Sequence, residues 1–146
     1  MRPTPSIALA LTALVALPLA GCGGDDTATD APIVSIAPAD VAPGLVDPAT
    51  AAGLAASSDV TVIDVRTPEE FAEGHLEGAQ LIDIYEADFA QQIDALDRDG
   101  DYLVYCRSGN RSASATALMA QLGFTTVFEL EGGMVAYDAA GLPVVS

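Results

Sequence analysis

The 146-residue chain has no lysine and no tryptophan, a single histidine and only two cysteines. Arginine supplies all five basic side chains against 21 acidic ones, for a formal net charge of −16. Nucleic-acid binding needs a basic face, so that class of function is excluded. Attraction to anionic lipid headgroups is excluded for the same reason. Two cysteines cannot build a disulfide framework. No Cys/His grouping has metal-ligand spacing, and Asp25 and Asp26 read as solvated acids, so no metal and no cofactor is expected. The longest apolar run, Ile7 to Ala20, falls short of a comfortable membrane span.

That run does fit the h-region of a leader. Met1 and Arg2 form a short charged start, and the run ends at Leu19-Ala20-Gly21-Cys22. This ending resembles a bacterial lipobox, which implies a lipoprotein signal peptide over 1–21 and a lipidated Cys22. The expected location is extracytoplasmic, held to the cell membrane by that lipid. Residues 22–41 carry Asp25, Asp26, Asp30, Asp40 and several prolines, the composition of a flexible acidic linker. Ile33 to Ile36 is a brief apolar patch within it.

Residues 42–146 remain for one domain, large enough for a real core and without internal repeats. It is expected as a monomer. Asp47-Pro48 starts a helix, with Asp as N-cap and Pro at the first position. Val60 to Val65 is a strand. Pro68 to Glu73 is a short helix closed by Gly74, and Gly78 to Asp83 holds a short strand. Glu86 to Leu96 places Phe89, Ile93 and Leu96 on one helical face. Asp99-Gly100 turns into the strand Tyr102 to Tyr105. An alanine-rich helix follows from Ser112 to Leu122, capped by Gly123. Thr126 to Leu130 is a strand, and Met134 to Ala139 a last helix. Strands and helices alternate, and the strands are short, apolar and β-branched. The fold class is therefore α/β, a mainly parallel central sheet flanked by helices on both faces. Ala113, Ala117 and Ala120 are expected to let the alanine-rich helix approach that sheet closely.

Cys106-Arg107-Ser108-Gly109-Asn110-Arg111 joins the central strand to this helix. Ligands on such sheets bind beyond the carboxyl ends of strands, where this loop lies. A helix N-terminus points N–H groups and its positive dipole end at the sulfur. Gly109 lets the loop curl into an anion-binding nest. Arg107 and Arg111 add fixed positive charge, half of what remains once Arg2 leaves with the leader. Distant acids are screened beyond about 8 Å, so the nearby arginines prevail. Each effect favours thiolate, the nucleophilic form. If Cys22 is lipidated, Cys106 has no partner in the chain. A free thiol outside the cytoplasm points to sulfur chemistry.

The loop Cys106 to Ser112 resembles the active-site loop of rhodanese-type sulfurtransferases. Asp64-Val-Arg-Thr-Pro-Glu-Glu-Phe71 with Gly74-His-Leu-Glu-Gly-Ala79 resembles that family's upstream signature. Glu131-Gly-Gly-Met134 and Ala140-Gly-Leu-Pro143 resemble its C-terminal one. One departure is Tyr137, where the family commonly has tryptophan. The resemblance runs from about Val41 to the end and implies a rhodanese-like domain.

It also implies the chemistry. Cys106 attacks the outer sulfur of thiosulfate or a similar donor, releases sulfite and becomes a persulfide. A thiophilic acceptor such as cyanide or a thiol then takes the sulfur. Ser108, Gly109 and Asn110 supply the loop that binds the anion. Arg107 and Arg111 hold the sulfonate oxygens, Arg111 being equally able to brace the loop. His75 is a loop-ordering group rather than a base for Cys106, and Asp64 and Arg66 brace loops near the site. Cysteine-dependent phosphatases and arsenate reductases also place a thiolate at a helix start, but with five residues between Cys and Arg. Here there are four, a smaller loop that suits a single sulfur. The alternative is a persulfide carrier or redox-sensing module that delivers sulfur to a partner protein.

Overall fold

The structure is a computed structural model that describes residues 32–146. The leader, Cys22 and residues 22–31 of the expected linker lie outside the described residues. Residues 32–41 do not stand off as a tether. The Ile36 N–H donates to Gly53 O at 2.8 Å, and Pro38–Asp40 forms a buried-edged 3-10 turn. Ile36 packs on the core over Gly53, where any β-carbon would strike its side chain.

Five strands form one sheet: β1 (Gly44–Val46), β2 (Val60–Asp64), β3 (Gln80–Leu81), β4 (Asp101–Tyr105) and β5 (Thr126–Leu130). Their order is β1-β5-β4-β2-β3, and every pair is parallel. The strand β1 has no counterpart in the sequence reading. It is three residues long with Gly44 and Leu45 exposed, so it carries no apolar alternation.

The helices are α1 (Pro48–Ala55), α2 (Pro68–Glu73), α3 (Phe89–Asp94), α4 (Asn110–Leu122) and α5 (Gly133–Ala139). Local chemistry starts two of them, the first as expected and the second through a cap that the sequence reading did not name. Asp47 accepts from the N–H groups of Ala49 and Thr50, with Pro48 at the first position. Thr67 and Glu70 form a capping box ahead of α2. Gly123 ends α4 in the left-handed region at φ 92°, where a side chain would be strained.

Parallel strands are covered on both faces, and alternation divides their side chains between two cores. Leu103 and Tyr105 of β4 join Phe128, Leu130, Leu54 and Met134 on one side. Tyr102, Val104 and Cys106 join Ile93, Ala115, Met119 and Phe124 on the other. The inward face of α4 is Ser112, Ala115 and Met119, while Ala113, Ala117 and Ala120 face solvent. The expected alanine face is thus corrected. An alanine-rich helix has little apolar asymmetry, so packing around Met119 rather than periodicity chose its face.

Candidate active site

Cys106 follows the last residue of β4 and is only 1% exposed. Its loop closes over the sulfur. The Gly109 N–H donates to Sγ at 3.1 Å, and Ser112 Oγ lies 3.4 Å from it. Gly109 holds φ at 100°, the left-handed conformation that aims its N–H inward. Burial works most strongly against ionisation of the thiol. The Ser112 hydroxyl and the N–H groups of Ser112, Ser108 and Gly109 together outweigh it, and the pKa falls below the ordinary thiol value. The cradle expected from the loop therefore forms. Its hydroxyl member, Ser112, was missed by the sequence reading, although a serine on the first turn behind a thiol was its available signal.

The loop is held from below. Met134 N–H donates to Cys106 O at 2.9 Å, and Val135 N–H donates to Arg107 O at 3.0 Å. This approach is possible because Gly133 lacks a side chain. A β-carbon there would sit 2.4 Å from Cys106 O. The Glu131-Gly-Gly-Met134 motif thus acquires a physical role: the first turn of α5 supports the backbone carbonyls of the Cys106 loop.

The two loop arginines part company. Arg111 forms a two-pronged pair with Glu70, at 2.6 and 2.8 Å, and lies 5.8 Å from the ring centre of Tyr85. It ties α4 to the capping box of α2. Hydrogen bonding from Arg111 is the main cause that holds the Glu70 carboxyl at about 2, with burial opposing. The same pairing pushes Arg111 up. Of the two roles expected for Arg111, bracing is the one with a partner in this structure. Arg107 is exposed, and among the described residues no carboxylate lies within ion-pair distance of it. Asn110 is exposed on the first turn of α4, and its side chain makes no hydrogen bond among the described residues.

Arg107 lines a cavity of about 150 Å³ with Arg66, Glu70, Glu73, Met134, Val135 and Asp138. It is smaller than the usual volume of about 300–1,000 Å³ for drug-sized ligands, Arg107 is its one residue from the Cys106–Arg111 loop, and three carboxylates share its wall with the two arginines. A larger cavity of about 360 Å³ lies against α1 and contains none of the loop residues.

Asp64 and Arg66 brace the adjoining strand end, as expected. Arg66 Nη2 donates to Asp64 Oδ2 and to Gly74 O, both at 2.7 Å, in a buried pair. Tyr105 Oη accepts from Leu76 N–H at 3.2 Å on the same side. His75 stacks on Phe71 at 3.7 Å, and its Nδ1 pairs with Phe71 O at 3.0 Å. Its backbone bridges to Val145. These contacts order a loop.

Fold and site together define a class: a parallel α/β domain that, among the described residues, sets one free thiol in an N–H cradle at a strand end. The rhodanese-like domain family matches residues 47–140, and the chain belongs to it. A sulfurtransferase of Allochromatium vinosum is 37% identical over 93 residues, covering 64% of this chain and 85% of that one. The thiosulfate sulfurtransferase GlpE of Pseudomonas aeruginosa is 45% identical over 73 residues, covering 49% of this chain and 64% of its own length. The crystal structure of a rhodanese-related protein from Thermoplasma volcanium superposes with a TM-score of 0.61 at 33% identity. That match covers 68% of this chain and 95% of the other.

Proposed function

We propose that this protein is a sulfurtransferase that carries sulfane sulfur on Cys106. The observation that carries the reading is the loop itself: a buried thiol, lowered in pKa, facing the Gly109 N–H and the Ser112 hydroxyl. The Cys106 thiolate attacks the outer sulfur of thiosulfate or a similar donor. The donor's S–S bond breaks and sulfite leaves with the electron pair, so Cys106 becomes a persulfide. Cyanide or a thiol then attacks the outer persulfide sulfur and returns the thiolate. Two half-reactions through a covalent intermediate give ping-pong kinetics. The loop N–H groups of Ser108 and Gly109 stabilise the anionic sulfur at each stage. Arg107, exposed beside the small cavity, is the cation for the donor's sulfonate. Arg111 keeps the loop in register through Glu70, and no cofactor enters either step.

The test uses the full chain carrying Cys22→Ser, in which Cys106 is the sole thiol. Thiosulfate adds one sulfur atom by intact mass, and cyanide removes it as thiocyanate. Cys106→Ser abolishes both steps while the protein still folds. A wild-type thiol that is free, folded and never loaded overturns the assignment. Repeated turnover with a small acceptor marks an enzyme, whereas loading that stops after one equivalent marks a carrier.

For location, the proposal is an extracytoplasmic domain anchored by lipid at Cys22, supported by the apolar run and the Leu19-Ala20-Gly21-Cys22 ending. Among the described residues no helix is long and apolar enough to cross a membrane. Cys22→Ser releases the protein from the membrane fraction or leaves the precursor uncleaved. Unchanged fractionation and migration rule the anchor out.

A further inference from the structure

The cavity of about 360 Å³ beside α1 is walled by stretches far apart in the chain. Ala52, Ala55 and Ala56 at the end of α1 are short, which leaves the space open. Val145 and His75 exchange backbone hydrogen bonds at 2.8 and 2.9 Å, which pins the C-terminal wall. The Ile36 N–H on Gly53 O holds the stretch that carries Ile33. Ile33 and Val145 stay 36% and 39% exposed, so the walls keep apolar surface in water. One polar group among them is out of balance. Tyr137 is 2% exposed, yet its hydroxyl has no hydrogen-bond partner among the described residues. No fully enclosed side-chain polar atom there lacks a partner, so this hydroxyl keeps its little exposure where the wall opens to the cavity. A hydroxyl so placed loses water without gaining a partner, which favours a ligand that supplies one. Burial pushes its phenol up, so it stays neutral and can both donate and accept.

We propose that this cavity binds a small organic amine, its apolar body against the α1 alanines and its ammonium group shared between the Tyr137 hydroxyl and the Glu77 carboxylate. Glu77 is the one charged residue of the lining. It repels anions and favours a cation. Every polar side chain of the wall, including Ser57 and Ser58, accepts hydrogen bonds, and an ammonium group offers three donors and no acceptor. Glu77 is exposed, so pairing with it does not bury two charges. The volume falls within the usual range of about 300–1,000 Å³ for small-molecule sites. The cavity shares no residue with the Cys106 loop or with the smaller hollow beside Arg107. It is a second site, and neither it nor sulfur transfer depends on the other.

Phenethylamine, phenethyl alcohol and phenylacetate share one apolar body and differ in the charge of the head. Each is titrated into the full chain carrying Cys22→Ser, and the amide signals of Ser57 and Tyr137 are followed by NMR. The amine binds tightest, the alcohol about two- to fivefold more weakly, and phenylacetate most weakly of the three. Amide signals that none of the three moves refute the site, and phenylacetate binding as well as the amine refutes its charge preference. Tyr137→Phe weakens the amine about tenfold or more. It leaves the urea midpoint of the unliganded chain unchanged, because the hydroxyl it removes has no partner. A midpoint that falls means the hydroxyl already has a structural partner and overturns the reading. Glu77→Gln, at an exposed position, brings the amine down to the level of the alcohol. Ala56→Leu, also exposed, fills the hollow and abolishes binding, which covers the case where Tyr137→Phe does not fold. Amine binding that survives both Glu77→Gln and Ala56→Leu unchanged places it elsewhere and refutes the proposal.

Discussion

Gly133→Ala tests the idea that α5 supports the nucleophile loop. Gly133 has φ +60°, and a β-carbon there meets Cys106 O at 2.4 Å, Arg107 C at 2.6 Å and Arg107 O at 2.7 Å. All three are backbone atoms, which cannot swing aside as a side chain does. Two costs follow. Alanine in the left-handed region costs about 1–2 kcal/mol. Forcing packed backbone apart costs about 1–3 kcal/mol more, which includes weakening the bonds from Met134 and Val135. The sum is about 2–5 kcal/mol, or a fall of about 1–2.5 M in urea midpoint at a slope of about 2 kcal/mol/M. Gly141→Ala is the control. It has φ +68° and nothing within 4 Å, so only the conformational cost applies. That predicts a fall of about 0.5–1 M. In folded Gly133→Ala, sulfur loading of Cys106 also slows, because the carbonyls that set the loop have moved. In Gly141→Ala it does not. Equal midpoints for the two variants, or unchanged loading in Gly133→Ala, refute the supporting role.

Other predictions concern the charged groups. Arg107→Ala raises the apparent KM for thiosulfate about tenfold or more with little change in kcat, measured by steady-state kinetics; unchanged constants remove it from donor binding. Glu70 is held at about 2 against an ordinary 4.5. A depressed carboxyl stabilises fully above about pH 4.5 and loses that stabilisation as pH falls toward 2. Glu70→Gln therefore costs about 1–2 kcal/mol at pH 7, after allowing for solvent screening, and flattens stability between pH 4.5 and 2. Denaturation midpoints across that range check it, and a variant with the parent's acid slope contradicts the pairing. Arg66→Ala leaves Asp64 buried without its partner and costs about 3–5 kcal/mol. A thermal unfolding midpoint close to the parent's would show that this pair does not hold the strand end. Tyr105→Phe orphans the Leu76 N–H and costs about 1–3 kcal/mol, read from urea unfolding; no loss would mean water replaces the hydroxyl.

What the sequence determined by itself was everything encoded in neighbouring residues. Asp47-Pro48, Thr67-Pro68 with Glu70, and Gly123 start or stop helices through side chains and torsions a few residues apart, so they are legible in one dimension. Strand, cysteine, glycine and helix start are contiguous from Tyr102 to Ser112, so the cradle could be read before it was seen. Tertiary structure alone decided the pairings between distant segments. Arg111 meets Glu70 across 41 residues, and Ser112 meets Glu129 across 17. The order β1-β5-β4-β2-β3 sets β5 beside β4, bringing Glu129 under α4 and Gly133 under Cys106. The sequence holds two cations beside the thiol, but only packing assigns one of them to a carboxylate and leaves the other to the solvent. The physical reason is range: caps and turns act within a few bonds, whereas an ion pair or a side-chain hydrogen bond depends on where the sheet delivers its partner.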